Sequence, residues 1–320
     1  MLCDFAHSFP ELVGDLLDRE AGLQRRFREE SLTDMWVASL VPLRPYGVAP
    51  DLAIEAETGA DLELWFLSRR LDRGLGFVIQ AKRAECERMH RFPFSCALHS
   101  WGKHRFPELD HRGGEGRIKG SQARDLVQAA KRTGRTVYPL YALYTPAHVH
   151  HASGHAVEGV MLADGYEVRE RIVQGLWDTR RRAGAKRRRP AKFKRLENLA
   201  GLLLPLSAMF CVSSWRAAAG DIEDEVLRKV VYLKLTADKV EIMNIPDPAE
   251  VADAMTRAIL RRRRDGSELP LPRVTTEIPA DIRLLAQGEM RGLPTFDGAP
   301  GVAARARIAF VASVDYERKP

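Results

Sequence analysis

The stretch at residues 58–82 decides the predicted fold. Its sequence is Thr58-Gly59-Ala60-Asp61-Leu62-Glu63-Leu64-Trp65-Phe66, then a polar, glycine-containing connection at residues 68–74, then Gly76-Phe77-Val78-Ile79-Gln80-Ala81-Lys82. Two short apolar runs around such a connection predict a β-hairpin. Because side chains alternate between the faces of a strand, Asp61 shares a face with Glu63, and Gln80 shares a face with Lys82.

Symmetric pairing of this hairpin about residues 71 and 72 places Asp61 across from Lys82 and Glu63 across from Gln80. Two acids, an amide and an amine then meet on one patch of the sheet. Thr or Val would suit a purely structural sheet surface better. The pattern therefore predicts a functional site.

The order of these motifs resembles the PD-(D/E)XK superfamily of restriction-endonuclease-like nucleases. That family has an Asp on one strand, matched here by Asp61, and an acid-x-Lys motif at the end of the next strand. Gln80-Ala81-Lys82 matches the second motif, with Gln in place of the acid. The resemblance covers about residues 23–145. Within the superfamily, the motifs are similar to those of stand-alone nuclease-like proteins associated with bacterial genome defence.

The resemblance implies an α/β fold, with a restriction-endonuclease-like mixed β-sheet flanked by helices. It also implies hydrolysis of phosphodiester bonds that depends on Mg²⁺ or Mn²⁺, with DNA as the expected substrate. Hard divalent cations prefer oxygen ligands, and an ammonium group can polarise water or stabilise phosphate charge. The implied catalytic and metal-binding residues are Asp61, Gln80, Ala81 through its carbonyl, Lys82, Glu63 and Glu30.

The family carries a metal-binding acid on its first helix, and Glu29 or Glu30 falls at that position. Ser31-x-x-Asp34 resembles a capping box, so this helix could begin at Ser31 and end before Pro42. The same residues could instead lie inside a longer helix that begins near Leu23. We prefer Glu30 as the helper, and the alternative is a solvated acidic pair beside arginines.

Gln80 leaves the site one carboxylate short of the usual family set. This motivates a second hypothesis, a non-catalytic nucleic-acid-binding module on a decayed nuclease fold, although the presence of both Asp61 and Lys82 argues against it. A third hypothesis keeps the chemistry but directs it to RNA. The resemblance also leaves room for a homodimer or for a partner protein of a defence system.

The rest of the chain predicts two parts, a nuclease-like core at residues 1–165 and a C-terminal α/β extension at residues 166–320. In the core, Pro10 opens a helical pattern, Ser121 caps a second helix, and an almost wholly apolar run at residues 137–144 predicts a buried strand. Further predicted helices lie at 166–176, 196–204, 223–235, 249–264 and 281–287, and further strands at 157–162, 209–212 and 307–314.

Residues 180–195 form the densest basic run of the chain and also contain Gly184 and Pro190. Such a run is typical of a flexible basic loop that binds the phosphate backbone of a nucleic acid through charge. A solvated loop without a partner is the alternative. The predicted phosphate contacts are Arg187, Arg188, Arg189, Lys192 and Lys194.

The overall composition is that of a globular chain, with a net charge of +7 that favours polyanionic partners. The N-terminus has no signal-peptide pattern, and the longest apolar run, residues 199–212, is interrupted by Gly201 and Pro205, so no membrane association is expected. The four cysteines have no disulfide-framework spacing, which favours a reducing cytoplasm.

Two groups of His and Cys residues invite a metal interpretation. The first consists of Cys86, His90, Cys96 and His99, and the second of His148, His150, His151 and His155. Neither group has the spacing of a common zinc site. We therefore expect neither group to bind zinc.

Overall fold

The computed structural model describes residues 2–20, 27–52, 60–86, 104–112, 118–131, 136–152, 157–181, 192–212, 245–263, 267–288 and 306–312. The described helices are α1 (Leu2–Arg19), α2 (Glu29–Leu40), α3 (Ser121–Ala129), α4 (Ala147–Ala152), α5 (Gly165–Arg181), α6 (Leu196–Leu199), α7 (Ser207–Phe210), α8 (Pro248–Leu260) and α9 (Ala280–Gln287). The described strands are β1 (Val48–Leu52), β2 (Leu62–Leu67), β3 (Gly74–Arg83), β4 (Glu85–Cys86), β5 (His104–Arg105), β6 (Val137–Tyr144), β7 (Val160–Asp164), β8 (Leu203–Pro205) and β9 (Ala306–Val311).

The fold is a mixed α/β architecture, as predicted, with helices flanking a seven-stranded sheet in the order β1-β9-β2-β3-β6-β7-β8. The β2–β3 hairpin is antiparallel, and β6 joins β3 in parallel. The late strand β9 lies between β1 and β2 and pairs with both of them. The predicted division at residues 165 and 166 therefore does not separate two sheets, because β8 and β9 belong to the same sheet as the core strands.

The hairpin forms where it was predicted, but its register differs by two residues. Leu62 pairs with Ile79, and Glu63 lies across from Val78 instead of Gln80. The connection closes early because the Ser68 hydroxyl oxygen accepts hydrogen bonds from the backbone N–H groups of Asp72 and Arg73, both at 3.2 Å. A shift by two keeps each side chain on its predicted face, whereas a shift by one would reverse the faces.

Both faces of the hairpin are covered, so its polar patch lies inside the protein instead of on a solvated surface. All of β2 is buried, and β3 is buried as far as Lys82. One apolar cluster contains Leu64 and Phe77, and a second, on the opposite face, contains Trp65. The Trp65 indole fills the space above Gly76, where a Cβ would lie 2.7 Å from the ring.

Most of the other predicted elements are confirmed, among them α3, α5, α8, α9, β6, β7 and β9. The predicted cap of α3 is wrong, because the N-cap residue is Gly120 and Ser121 is the first residue of the helix. The helix expected to open at Pro10 already begins at Leu2, and α2 begins at Glu29 and not at Ser31. The strand predicted at residues 209–212 is wrong, because Met209 lies in α7. The helix predicted at 196–204 is interrupted and gives way to β8. The helix predicted at 223–235 lies outside the described residues.

Cys3 near the start of α1 and Cys211 just after α7 form a disulfide across 208 residues of sequence. The cysteine spacing did not predict this pair. None of the described helices combines the length and the apolar character that crossing a bilayer requires.

Candidate functional site

Asp61 lies immediately before β2, and its carboxylate is held by the neighbouring strand β3. Its Oδ2 accepts a hydrogen bond of 2.7 Å from the backbone N–H of Ala81 and a second, short one from Nε2 of Gln80. Its own backbone N–H donates to the carbonyl of Ile79 at 2.9 Å. The register of the hairpin thus brings Asp61 beside Gln80 and Ala81 instead of directly across from Lys82.

The environment of Asp61 makes its negative charge costly. The pKa of this carboxyl is raised from 3.8 to about 6, mainly because it is buried; Lys82 and the N–H of Ala81 act against this rise, and the charges of Glu29 and Glu30 add to it. Removing water from a carboxylate disfavours its charged form unless a cation compensates. A carboxylate of this kind, ionised at neutral pH but poorly solvated, has much to gain from a bound cation.

Gln80 supplies an amide oxygen next to this carboxylate. The side chain is 2% exposed, and its Nε2 is oriented by the hydrogen bond to Asp61. Its Oε1 is buried and accepts no hydrogen bond within the described part of the chain. An acceptor buried without a partner costs free energy, and a bound water or cation would supply the partner of this oxygen.

Lys82 is 3% exposed and forms an ion pair with the first residue of α2. Its Nζ lies 3.2 Å from Oε2 of Glu29, and Oε1 of Glu29 accepts a 2.9 Å hydrogen bond from the backbone N–H of Arg83. Glu29, and not the preferred Glu30, is thus the acid that α2 bonds to the end of β3. Glu30 acts on the site through its charge, which raises the pKa of Asp61.

Arg83 joins the end of α1 to the same strand end. Its guanidinium lies 3.0 Å from the buried carboxylate of Glu20 and also donates to the carbonyl of Phe27. The sequence analysis did not single out either Glu20 or Arg83. Their contact spans more than sixty residues of sequence, and no local motif indicates it.

Two tyrosines of β6 back the site from the next strand. Tyr141 is the parallel partner of Gln80, and the hydroxyl of Tyr144 lies 3.1 Å from Oγ1 of Thr33 on α2. Burial raises the pKa of both phenols, and the charge of Asp61 raises it further. Both phenols therefore remain neutral; Tyr141 lies on the same face of the sheet as Gln80, and Tyr144 lies on the opposite face.

Glu63 shares a strand face with Asp61 but lies about 7 Å further along β2. It is fully buried, and its Oε1 accepts a 2.8 Å hydrogen bond from Nε1 of Trp65. One carboxylate oxygen of Glu63 therefore already holds the indole. Among the proposed helpers, Glu29 is the acid that contacts the motif lysine.

The predicted phosphate contacts fall mostly outside the described residues, which include neither Arg187, Arg188 nor Arg189. Lys192 is exposed. The ammonium group of Lys194 donates to the carbonyl of Pro107 at 2.5 Å and forms a short ion pair with Asp110. Lys194 is therefore engaged inside the protein, which makes it a weaker candidate for binding phosphate than Lys192.

Of the two His and Cys groups, the structure describes the side chain of His148. Its ring is bonded to the carboxylate of Asp18, and its Nε2 lies 3.1 Å from Nε2 of His104. Burial, together with the neighbouring His148, lowers the pKa of His104 to about 4, so His104 is neutral at physiological pH. The side chains of Cys86, His150 and His151, and the whole of His90, Cys96, His99 and His155, lie outside the described residues.

The comparisons with known proteins give one match. A family model described as a family of unknown function (DUF6615) matches residues 2–313. No curated protein matches the chain, and no solved structure matches it.

Proposed function

This chain belongs to the DUF6615 family, and from the geometry of its site we propose that it is a divalent-metal-dependent nuclease. The observation that carries the proposal is the buried Oε1 of Gln80, which has no hydrogen-bond partner in the described structure and lies beside a carboxylate of raised pKa. A cation bound between them would satisfy the amide oxygen and neutralise Asp61 at once.

The residues present fit Mg²⁺ or Mn²⁺. Asp61, the side chain of Gln80 and the carbonyl of Ala81 are all oxygen donors, and they meet at one end of the hairpin. Hard cations of this class take carboxylate and amide oxygens and usually keep several waters. A softer metal would be expected to require His or Cys ligands, which the described part of this site does not contain.

A bound cation supplies charge stabilisation for the phosphoryl oxygens and lowers the pKa of its water. Asp61 would hold the cation in its ionised form, which prevails above about pH 6. Nε2 of Gln80 contacts Asp61 and the carbonyl of Ala81, and rotation of this amide would turn Oε1 toward a cation held by the same two residues. Lys82 places a buried ammonium near the reacting phosphate, and Glu29 keeps that ammonium in position at 3.2 Å.

The proposed substrate is DNA. The net charge of +7 and the basic loop at 180–195 support a polyanionic substrate. The resemblance to stand-alone nuclease-like proteins supports a role in bacterial genome defence, with a homodimer or a defence partner as further components. A non-catalytic nucleic-acid-binding module on the same fold is the second candidate, because Gln80 replaces an acid.

Cleavage assays with variants of Gln80 test the proposal. Supercoiled plasmid, single-stranded DNA and RNA are incubated with the protein in Mg²⁺, Mn²⁺ or EDTA. Gln80→Ala removes the amide oxygen and should lower cleavage at least about a hundredfold, which corresponds to roughly 2.7 kcal/mol of lost transition-state stabilisation. Gln80→Glu restores the commoner acid of the resembling family and should retain activity, with an altered metal preference.

Gln174→Ala is the matched control, because Gln174 is an exposed glutamine on α5 that bonds only its helical neighbour Asp178 in the described contacts. Its activity should equal that of the wild type. Binding of nucleic acid without metal-dependent cleavage of any of the three substrates would favour the non-catalytic module. Full activity of Gln80→Ala would exclude Gln80 as a ligand.

A further inference from the structure

A cluster of side chains that are potential metal ligands lies at the N-terminal end of α1, away from the proposed nuclease site. Cys3 and His7 are four residues apart and therefore share one face of this helix, and Cys211 approaches them from the end of α7. Nε2 of His7 lies 3.7 Å from Sγ of Cys211, and one ligand atom of each residue falls within 4.8 Å of the other two. His7 is exposed and both cysteines are half-buried.

Two thiolates and one imidazole are a zinc donor set that leaves one position for water. With Zn–S and Zn–N bonds of usual length, a tetrahedral site needs about 3.6 Å between sulfur and nitrogen and about 3.8 Å between the sulfurs. The separation of 3.7 Å between His7 and Cys211 already meets the first requirement. Opening of the disulfide lets the two sulfurs separate enough to meet the second.

We propose that the reduced chain binds one Zn²⁺ through Cys3, His7 and Cys211, and that oxidation to the Cys3–Cys211 disulfide releases it. The metal and the disulfide are alternative links between the same two helices. Zinc needs both sulfurs as thiolates, and the disulfide removes both of them from the ligand set. Whether the cluster holds zinc or the disulfide therefore depends on the ratio of thiols to disulfides in the solution around the protein.

The oxidation is a two-electron exchange with a small-molecule disulfide such as oxidised glutathione. One chain thiolate attacks the small disulfide, forms a mixed disulfide and releases one small thiolate. The second chain thiolate then displaces the other small thiolate and closes the Cys3–Cys211 bond. The chain loses two electrons, the small disulfide gains them, and Zn²⁺ leaves without a change of oxidation state.

This cluster is distinct from the proposed nuclease site. Cys3 and Arg19 lie about 24 Å apart along the axis of α1, at 1.5 Å per residue. It is the far end of the helix, at Glu20, that contacts Arg83 beside the motif lysine. The zinc proposal can therefore be tested independently of the proposed cleavage chemistry, and the failure of one does not affect the other.

Cobalt substitution and zinc stoichiometry test the proposal on the full chain. Protein reduced with a phosphine is titrated with Co²⁺, and protein oxidised with oxidised glutathione is treated in the same way. We expect a thiolate-to-cobalt charge-transfer band and tetrahedral d–d absorption that saturate at one equivalent in the reduced form only. Zinc should displace the cobalt with the same stoichiometry, and oxidation should release it to a chromogenic chelator.

His7→Ala is the decisive variant, because His7 is exposed and its loss leaves both cysteines able to form the disulfide. It should weaken metal binding at least tenfold and leave the circular dichroism spectrum unchanged. His111→Ala, which changes an exposed histidine bonded to Glu108, is the control and should bind as the wild type does. Cys86→Ser and His150→Ala should also retain the bound metal.

A reduced wild type without the charge-transfer band would overturn the proposal. So would a band that persists unchanged in both His7→Ala and Cys211→Ser, since the metal would then lie elsewhere in the chain. Loss of the band in Cys86→Ser or His150→Ala, with His7→Ala unaffected, would assign the metal to one of the other two His and Cys groups.

Discussion

Replacement of Asp61 by Asn should stabilise the metal-free protein at neutral pH while it abolishes cleavage. The amide resembles the protonated carboxyl in shape, and its oxygen can still accept hydrogen bonds from Ala81 and Gln80, as Oδ2 does. It lacks the negative charge that burial disfavours. The substitution therefore separates two effects of the Asp61 charge: the loss of stability that it causes without metal, and the cleavage that it supports when a cation is bound.

The expected size follows from the pKa of the carboxyl. The rise from 3.8 to about 6 in the folded protein corresponds to about 3 kcal/mol at high pH. Because Asp61 is only half-buried, solvent screening reduces this to about 1–3 kcal/mol. Because the folded pKa lies above the unfolded one, protonated Asp61 stabilises the fold. This contribution is fully present below pH 4 and is lost as the pH rises through 6.

Urea unfolding in EDTA between pH 4 and pH 8 measures the difference. The two proteins should be equally stable near pH 4, and Asp61→Asn should be the more stable one at pH 8. Mg²⁺ should then raise the stability of the wild type but not that of the variant, since only the carboxylate attracts the cation. Asp72→Asn is a control of opposite sign, because a hydrogen bond from Ser68 lowers the pKa of this exposed carboxyl. The reasoning is refuted if Asp61→Asn is no more stable than the wild type at pH 8, or if the difference does not depend on pH.

Two further predictions concern the cations of the proposed site and of the basic loop. Lys82→Met removes the ammonium group but keeps a buried aliphatic side chain, and it should lower plasmid cleavage at least about a hundredfold in a protein whose circular dichroism is unchanged. Activity equal to that of the wild type would remove Lys82 from the chemistry. Replacement of Arg187, Arg188 and Arg189 by Ala should weaken DNA binding to a similar degree for all sequences and reduce the slope of log affinity against log salt by up to about 0.9 for each lost contact. An unchanged slope would show that the loop is only solvated.

The hairpin shows which properties of a strand pair the sequence can predict. Alternation of side chains determined that Asp61, Gln80 and Lys82 share one face, and the structure confirms this arrangement. The register depends instead on how the connection closes, and the hydroxyl of Ser68 closes it two residues earlier than symmetry suggests. The sequence therefore predicted on which face of the sheet Asp61 lies, whereas the residues beside it on β3 became known only from the structure.

Contacts between distant parts of the chain were beyond prediction from local patterns. The insertion of β9 between β1 and β2, the ion pair of Glu20 with Arg83 and the link between Cys3 and Cys211 each join residues far apart in sequence. Periodicity reports which face of an element is buried, but not which element covers it. This is also why the predicted boundary at 165 and 166 did not correspond to a division of the sheet.

The choice between Glu29 and Glu30 could have been made from the sequence. The inward face of α2 carries Thr33, Trp36 and Leu40, at spacings of three and four residues, and Glu29 continues this series by one helical turn. The capping-box interpretation began the helix at Ser31, two residues after its observed start, and therefore left Glu29 outside the helical series. A buried ion pair such as that of Glu29 with Lys82 contributes little net stability, because desolvation offsets the attraction. We therefore propose that this pair, at the end of the Gln80-Ala81-Lys82 motif, serves to position the lysine for the proposed cleavage.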